Sequence, residues 1–185
     1  MQDVLWVPSD PTQFITWGAD IRHYAVVPRD TCDDKARDDK TLQLSGTHVA
    51  VHVSTRQEPQ YVRCVDVWPG DGIVLAAGQA TGRISFISFK DGDGKFLVDR
   101  DLSPRTCRTC TAVAWYRASN SILASGYEKH RSDNALVVWD VSQGRMTDKP
   151  VVEFGLTDSC CSLTWFKSSP TMAAGMNGKF IRYGY

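Results

Sequence analysis

Among the side chains able to do chemistry, the thiols stand out: the chain carries six cysteines and four histidines in 185 residues. Cys107 and Cys110 have the C-x-x-C spacing of a zinc knuckle, with Cys160 and Cys161 about fifty residues further on. A structural zinc site needs two such pairs to converge, and adjacent cysteines rarely give two ligands to one metal. Packing is the better reading, so no metal is expected. His48 and His52 lie roughly 13 Å apart along an extended run, too far for one ion. Residues 91–102, DGDGKFLVDRDL, begin like a calcium loop, but Phe96 stands where the sharp turn needs glycine and Leu102 where a bidentate glutamate belongs. They read as a turn between strands. His130 and Arg131 open like a kinase catalytic loop, yet Ser132 separates Arg131 from Asp133 and no glycine-rich phosphate loop accompanies them. The stretch GMNGK is too short for a Walker loop. Neither a catalytic residue nor a cofactor is expected.

The elements that carry these residues repeat. Three segments share one pattern, an alternating apolar run ending in Trp, a polar turn, and a small-residue run ending in Gly: CVDVWPGDGIVLAAG, TAVAWYRASNSILASG and CSLTWFKSSPTMAAG. Trp68, Trp115 and Trp165 are spaced by 47 and 50 residues and precede Gly78, Gly126 and Gly175 by 10, 11 and 10. A weaker copy opens the chain, with Trp6 before Gly18. Each glycine is followed by a run rich in β-branched and aromatic residues: IRHYAVV, RISFISF, ALVVWDV and KFIRYGY. Fourth strands are expected at THVAVHVS, where Val49, Val51 and Val53 alternate with polar or small residues, and at PVVEFG.

Four-stranded units recurring every ~40 to 50 residues are the signature of WD-repeat β-propeller blades. The expected fold is all-β: a partial WD-repeat propeller of three complete blades and one incomplete blade, with units at about 1–56, 57–102, 103–156 and 157–185. Trp139-Asp140 supplies the one proper WD dipeptide. The three tryptophans are expected at equivalent buried places, and Cys64, Cys110 and Cys161 at the start of each first strand. All six cysteines are expected as free thiols under reducing conditions.

Composition narrows the partners. Lys plus Arg and Asp plus Glu each number 21, so no net charge favours nucleic acid or an anionic membrane. The first residues, MQDVLWVPSDP, lack the basic and apolar regions of a secretory signal, and no stretch approaches the ~18 apolar residues of a membrane span. A cytoplasmic setting is expected. Residues 29–40 mix both signs and read as a solvated loop.

The strings DVLWVP, YVRCVDVW through LAAGQATGRI, LASGYEKHRSDNALVVWDV, and EFGLTDSCCSLTWF through AAGMNGKFIRYGY run in order along almost the whole chain. In them the chain resembles the N-terminal propeller of the Mio family of WD-repeat proteins, most specifically through EKHRSD. The resemblance implies a non-enzymatic scaffold of a GATOR-type complex that relays amino-acid availability to the target-of-rapamycin kinase at the lysosomal surface. It also implies partners among other WD-repeat subunits and nutrient-sensor regulators. Members of the family are several times longer, and their zinc ligands have no counterpart here. The alternatives are a WD-repeat scaffold of another complex, such as a coat or pore subcomplex, and a zinc-binding domain.

EKHRSD sits where the second strand of the third unit turns into the third strand. In the fourth unit the same connection is little more than Asn177-Gly178, and in the second it spans residues 80–82. A hairpin needs only two residues to turn, so the extra length is not required by the fold. Strand alternation places Lys129, His130 and Arg131 on the same rim as Arg105 and Arg108. One reading is a cationic docking surface for an acidic partner, with Asp133 at its edge; the other is that Glu128 and Asp133 pair with Lys129 and Arg131 to stiffen the loop. The packing role of the thiols predicts that a metal chelator leaves the thermal unfolding curve unchanged, whereas stoichiometric zinc in the purified protein would contradict it.

Overall fold

Every run of β-branched and aromatic residues becomes an antiparallel strand, and the turn residues between them close hairpins. The computed structural model describes residues 3–31, 41–43, 46–89, 98, 100–104, 108–130, 134–142, 149–177 and 179–184. Among them there are four antiparallel sheets and no helix beyond one 3-10 turn, Arg29–Thr31, in agreement with the all-β, WD-repeat expectation. No helix is long and apolar enough to cross a membrane. The strands fall into two units that divide between Pro59 and Gln60.

The first unit contains β1 (Asp3–Val7), β2 (Asp10–Trp17), β3 (Asp20–Pro28), β4 (Thr41–Gln43) and β5 (His48–Gln57), in the sheet order β1-β2-β3-β5-β4. Its register lines up one ring per strand: Trp6 opposite Phe14, Phe14 opposite Tyr24, and Tyr24 opposite His52. Successive ring centroids are 5.3, 5.0 and 5.6 Å apart, a continuous aromatic ladder across four strands. The opposite face buries Ile15, Trp17 and Ile21. The alternation expected in β5 fails at Val53, which is 53% exposed. A bulge pairs His23 with Ser54 and Tyr24 with His52, leaving Val53 without a partner on β3. The short β4, paired outside β5, has no alternation by which the sequence would have revealed it.

The second unit holds three sheets. Strands β6 (Val62–Val67), β7 (Val74–Gln79), β8 (Ile84–Ser88) and β9 (Asp101–Leu102) form the first of them. Next come β10 (Cys110–Trp115), β11 (Ile122–Tyr127), β12 (Leu136–Asp140) and β13 (Val152–Phe154). The last contains β14 (Ser162–Trp165), β15 (Thr171–Met176) and β16 (Lys179–Gly184). Trp68, Ala76, Phe86 and Leu102 of the β6–β9 sheet meet Val113, Trp115, Tyr127 and Trp139 of the β10–β13 sheet in one core. Leu136, Val138 and Ala124 meet Cys160, Met172 and Ala174 in the next.

Close approach of these sheets depends on the repeated glycines. Gly78 lies opposite Cys64 and Gly126 opposite Ala112. A Cβ on Gly78 would stand 2.5 Å from Cys64 Sγ and 2.6 Å from Cys110 Sγ, and one on Gly126 would stand 2.5 Å from Cys160 Sγ. Each glycine thus receives a thiol from the entry to the following sheet, Cys110 at the first position of β10 and Cys160 two residues before β14. In the last sheet that thiol is Cys160, which is buried, and not the expected Cys161, which is exposed. The two neighbours point to opposite sides of an extended backbone.

The tryptophans also need correction. Trp115 pairs with Leu123 and Trp165 with Met172, each partner three residues before its glycine, and Val67 opposite Leu75 holds that place in the β6–β9 sheet. Trp68 falls one residue later, where its N–H bonds to Val74 O, as those of Tyr116 and Phe166 bond to Ile122 O and Thr171 O. One residue reverses the face, so Trp68 looks forward to the β10–β13 sheet while Trp115 looks back to the β6–β9 sheet. The spacings of Trp68 and Trp165 agree only because the turn after Trp165 is one residue shorter than the turn after Trp115. Trp68 Nε1 donates to Asn120 O at 2.7 Å and Trp165 Nε1 to Ala114 O at 2.9 Å. Trp68 and Trp115 are buried, whereas Trp165 is only half-buried.

A polar latch supplements this packing. Asp66 on β6 accepts from the Trp115 N–H at 2.7 Å and pairs with Arg117, which also donates to Val67 O at 2.5 Å. Burial raises the Asp66 carboxyl above its ordinary range, and the Arg117 charge, followed by the Trp115 and Val67 N–H groups, offsets that in part. Replacing Asp66 by alanine leaves the Trp115 N–H and Arg117 without this acceptor. The expected loss of stability is about 2–3 kcal/mol in denaturant titration. Unchanged stability would show that the latch contributes nothing.

Candidate docking surface on one rim

The connections between second and third strands emerge beside the segments that lead into first strands. At Gly82, in the turn between β7 and β8, φ is +86°, and the direction a side chain would take is occupied by the backbone carbonyl of Arg108. The segment entering β10 therefore crosses the turn of the preceding sheet. It also holds the long connection of its own sheet, since Arg108 donates to Glu128 O at 3.2 Å and to Asn134 O at 2.6 Å.

These carbonyls lie at the two ends of the EKHRSD connection, so one guanidinium closes its base. Its position is built from within the sheet. Trp139, of the WD dipeptide, donates from Nε1 to Ser125 Oγ at 2.7 Å, and Ser125 donates to the Tyr127 hydroxyl at 3.1 Å. The Tyr127 ring then lies beneath the Arg108 guanidinium, 5.4 Å from centroid to Cζ. Asn134 is held from a third side by Glu153 Oε2 at 3.0 Å. The next sheet contributes Ser159, whose Oγ accepts the Lys129 N–H at 2.8 Å.

The fourth sheet repeats the arrangement with other residues. Asp158 precedes Cys160 by two positions, as Arg108 precedes Cys110, and accepts from Asn177 Nδ2 of the β15–β16 turn at 3.2 Å. Sequence reasoning missed both Asp158 and Ser159 as rim residues. The signal was their offset from the buried cysteine, legible once Cys160 is aligned with Cys110.

Of the residues proposed from sequence, the structure brings Arg108, Lys129 and His130 to this rim. Arg105, Arg131 and Asp133 lie outside the described residues, as does Cys107 of the C-x-x-C pair and most of the calcium-loop-like segment. Arg108 acts at the base of the loop, Lys129 is half-buried, and Glu128 and His130 are exposed. Among the described residues Arg108 bonds to a carbonyl at each end of the connection, while the expected pairing of Glu128 and Asp133 with Lys129 and Arg131 lies partly outside the described residues. What the arrangement offers chemically is a charged loop presented on a fixed base.

Comparison with known proteins agrees with the repeat reading. A family model described as MIOS, WD40 repeat, matches residues 41–148. The GATOR2 complex protein Mio of Drosophila melanogaster is 29% identical over 179 residues, 96% of this chain and 19% of that protein. GATOR2 complex protein MIOS of Danio rerio is 26% identical, covering 88% of this chain and 21% of the relative. For GATOR2 complex protein MIOS-A of Xenopus laevis the identity is also 26%, over 95% and 23%. The chain spans about a fifth of the length of these curated relatives.

Removing the Arg108 guanidinium should open the base of the loop. Arg108→Ala is expected to lower stability by about 1.5–3 kcal/mol, the range for hydrogen bonds that involve a charged group. Arg108→Lys should recover less than half of that, because one ammonium cannot fork between two carbonyls on an aromatic face. Thermal unfolding of the three proteins checks this, and equal melting temperatures would contradict the clamp.

Proposed function

The chain belongs to the MIOS WD40-repeat family, and on that premise we propose that it is a non-enzymatic interaction platform within a GATOR-type complex, relaying amino-acid availability to the target-of-rapamycin kinase. Its partners on this reading are other WD-repeat subunits and nutrient-sensor regulators, and its place is the cytoplasm, reaching the lysosomal surface through the complex. The names of the relatives support the membership. The single observation that carries the docking role is the loop itself: longer than its counterparts, charged, and fastened at its base by Arg108.

Within this proposal the residues divide by role. Lys129, His130 and Arg131 face an acidic surface on a partner, with Arg105 adding positive charge and Asp133 limiting where the partner's acidic groups can sit. Arg108 positions the loop. A preformed loop loses little conformational freedom on binding, which is how a small patch contributes usable affinity. Rim charges of this kind act chiefly on association rate and specificity.

Replacing Lys129, His130 and Arg131 together by alanine should reduce co-precipitation of GATOR2 subunits or regulators several-fold. The melting temperature should stay within about 2 °C, since the charge of a surface-loop side chain contributes under ~1 kcal/mol. Full recovery of partners by the triple variant, or a loss of capture that follows only the loss of folded protein, would overturn the docking role.

A further inference from the structure

Where the β6–β9 and β10–β13 sheets meet, two thiols touch. Cys64 lies in β6 opposite Gly78, Cys110 opens β10, and their Sγ atoms are 3.8 Å apart. Cys64 Sγ is also 3.7 Å from Cys110 O. Both sulfurs occupy the space left by the missing side chain of Gly78, whose Cβ would stand 2.5 Å from one and 2.6 Å from the other. The following interface shows that packing alone does not ask for two thiols. There Cys160 takes the place of Cys110 against Gly126, while Ala112 takes the place of Cys64.

We propose that Cys64 and Cys110 are an oxidation site, forming a reversible disulfide that joins the two sheets. The inference goes beyond the docking role and does not rest on it. The oxidant class is a hydroperoxide, for which hydrogen peroxide serves as the probe. Cys64 is half-buried and meets it first: its sulfur attacks one peroxide oxygen, the O–O bond breaks, and one water leaves as the sulfenic acid forms. Cys110, fully buried, is the resolving sulfur. It attacks the Cys64 sulfur, the S–O bond breaks, and the Cys110 proton leaves with the hydroxyl as a second water. Two thiols are oxidised by two electrons and one peroxide is reduced to two waters. A dithiol reverses the reaction by exchange through the more accessible Cys64 sulfur. Burial holds the Cys110 thiol well above its ordinary range, so it stays protonated and leaves the first attack on peroxide to Cys64.

The test treats the folded full chain with hydrogen peroxide, blocks remaining thiols, and digests without reduction for mass spectrometry. The expected product is a peptide linked between Cys64 and Cys110 that dithiothreitol separates. It should be absent in Cys64→Ser and in Cys110→Val, substitutions that place at each position the residue of another sheet, Ser162 and Val62. Linking sites 46 positions apart should also raise the melting temperature by roughly 5 °C or more. Recovery of Cys64 as sulfinic acid with Cys110 still reduced, or linkage only between two chains, would overturn the proposal. Complete linkage with no rise in melting temperature would overturn the fastening of the two sheets. The wild-type measurement needs no variant to fold.

Discussion

In the second unit, neighbouring sheets can pack only as closely as their central strands permit, and β7 and β11 permit it because each carries a glycine as its penultimate residue. Gly78 and Gly126 each admit a thiol from the next sheet, with 2.5–2.6 Å where a Cβ would otherwise stand. The small residues before them, Ala76 and Ala124, leave room for larger ones from the two sheets to meet: Phe86 and Trp115 on one interface, Val138 and Met172 on the next. The repeated pattern of a small-residue run ending in glycine is therefore a packing requirement stated once per sheet. Hydrogen bonds such as those of Asp66 and of the Trp68 and Trp165 indoles then fix the stacking of sheets already in contact.

Because the sheet interiors are constrained in this way, variation collects on the rim. The position two before the buried cysteine makes the point. In one sheet it is Arg108, which closes a long charged connection; in the next it is Asp158, which holds a two-residue turn through Asn177. The scaffold is the same and the presented surface differs. On the proposed reading, this is where specificity would reside, with rigid strands beneath and one elaborated loop above. The chain from Trp139 through Ser125 and Tyr127 to Arg108 connects the residue that marks the repeat to the base of the loop that distinguishes it.

Strand runs, turns and repeat period were legible because each sheet restates them. The face of an individual residue was less so. Trp68 looked equivalent to Trp115 and Trp165 by spacing from its glycine, but a one-residue difference in turn length hid the fact that it occupies the place of Tyr116 and Phe166. Cys160 and Cys161 pose the same difficulty, since side chains one apart on a strand face opposite ways and spacing alone does not say which faces inward. The strands β4 and β9 escaped notice because two or three residues carry no periodicity. At the rim, the place of Arg108 was legible from strand alternation, while its role at the base of the loop depended on contacts between residues 20 and 26 positions apart. No local pattern encodes such a contact.

The close approach of sheets through a glycine gap is tested most directly by a double-mutant cycle at Gly126 and Cys160, read by denaturant unfolding of the full chain. Gly126→Ala alone should destabilise strongly, because its Cβ meets Cys160 Sγ and Cβ at 2.5 and 2.8 Å. In a Cys160→Gly background, where both atoms are gone, the same Gly126→Ala change should cost at least about 1 kcal/mol less. An equal cost in both backgrounds would contradict the account, since the glycine would then be needed for something other than the neighbouring sheet.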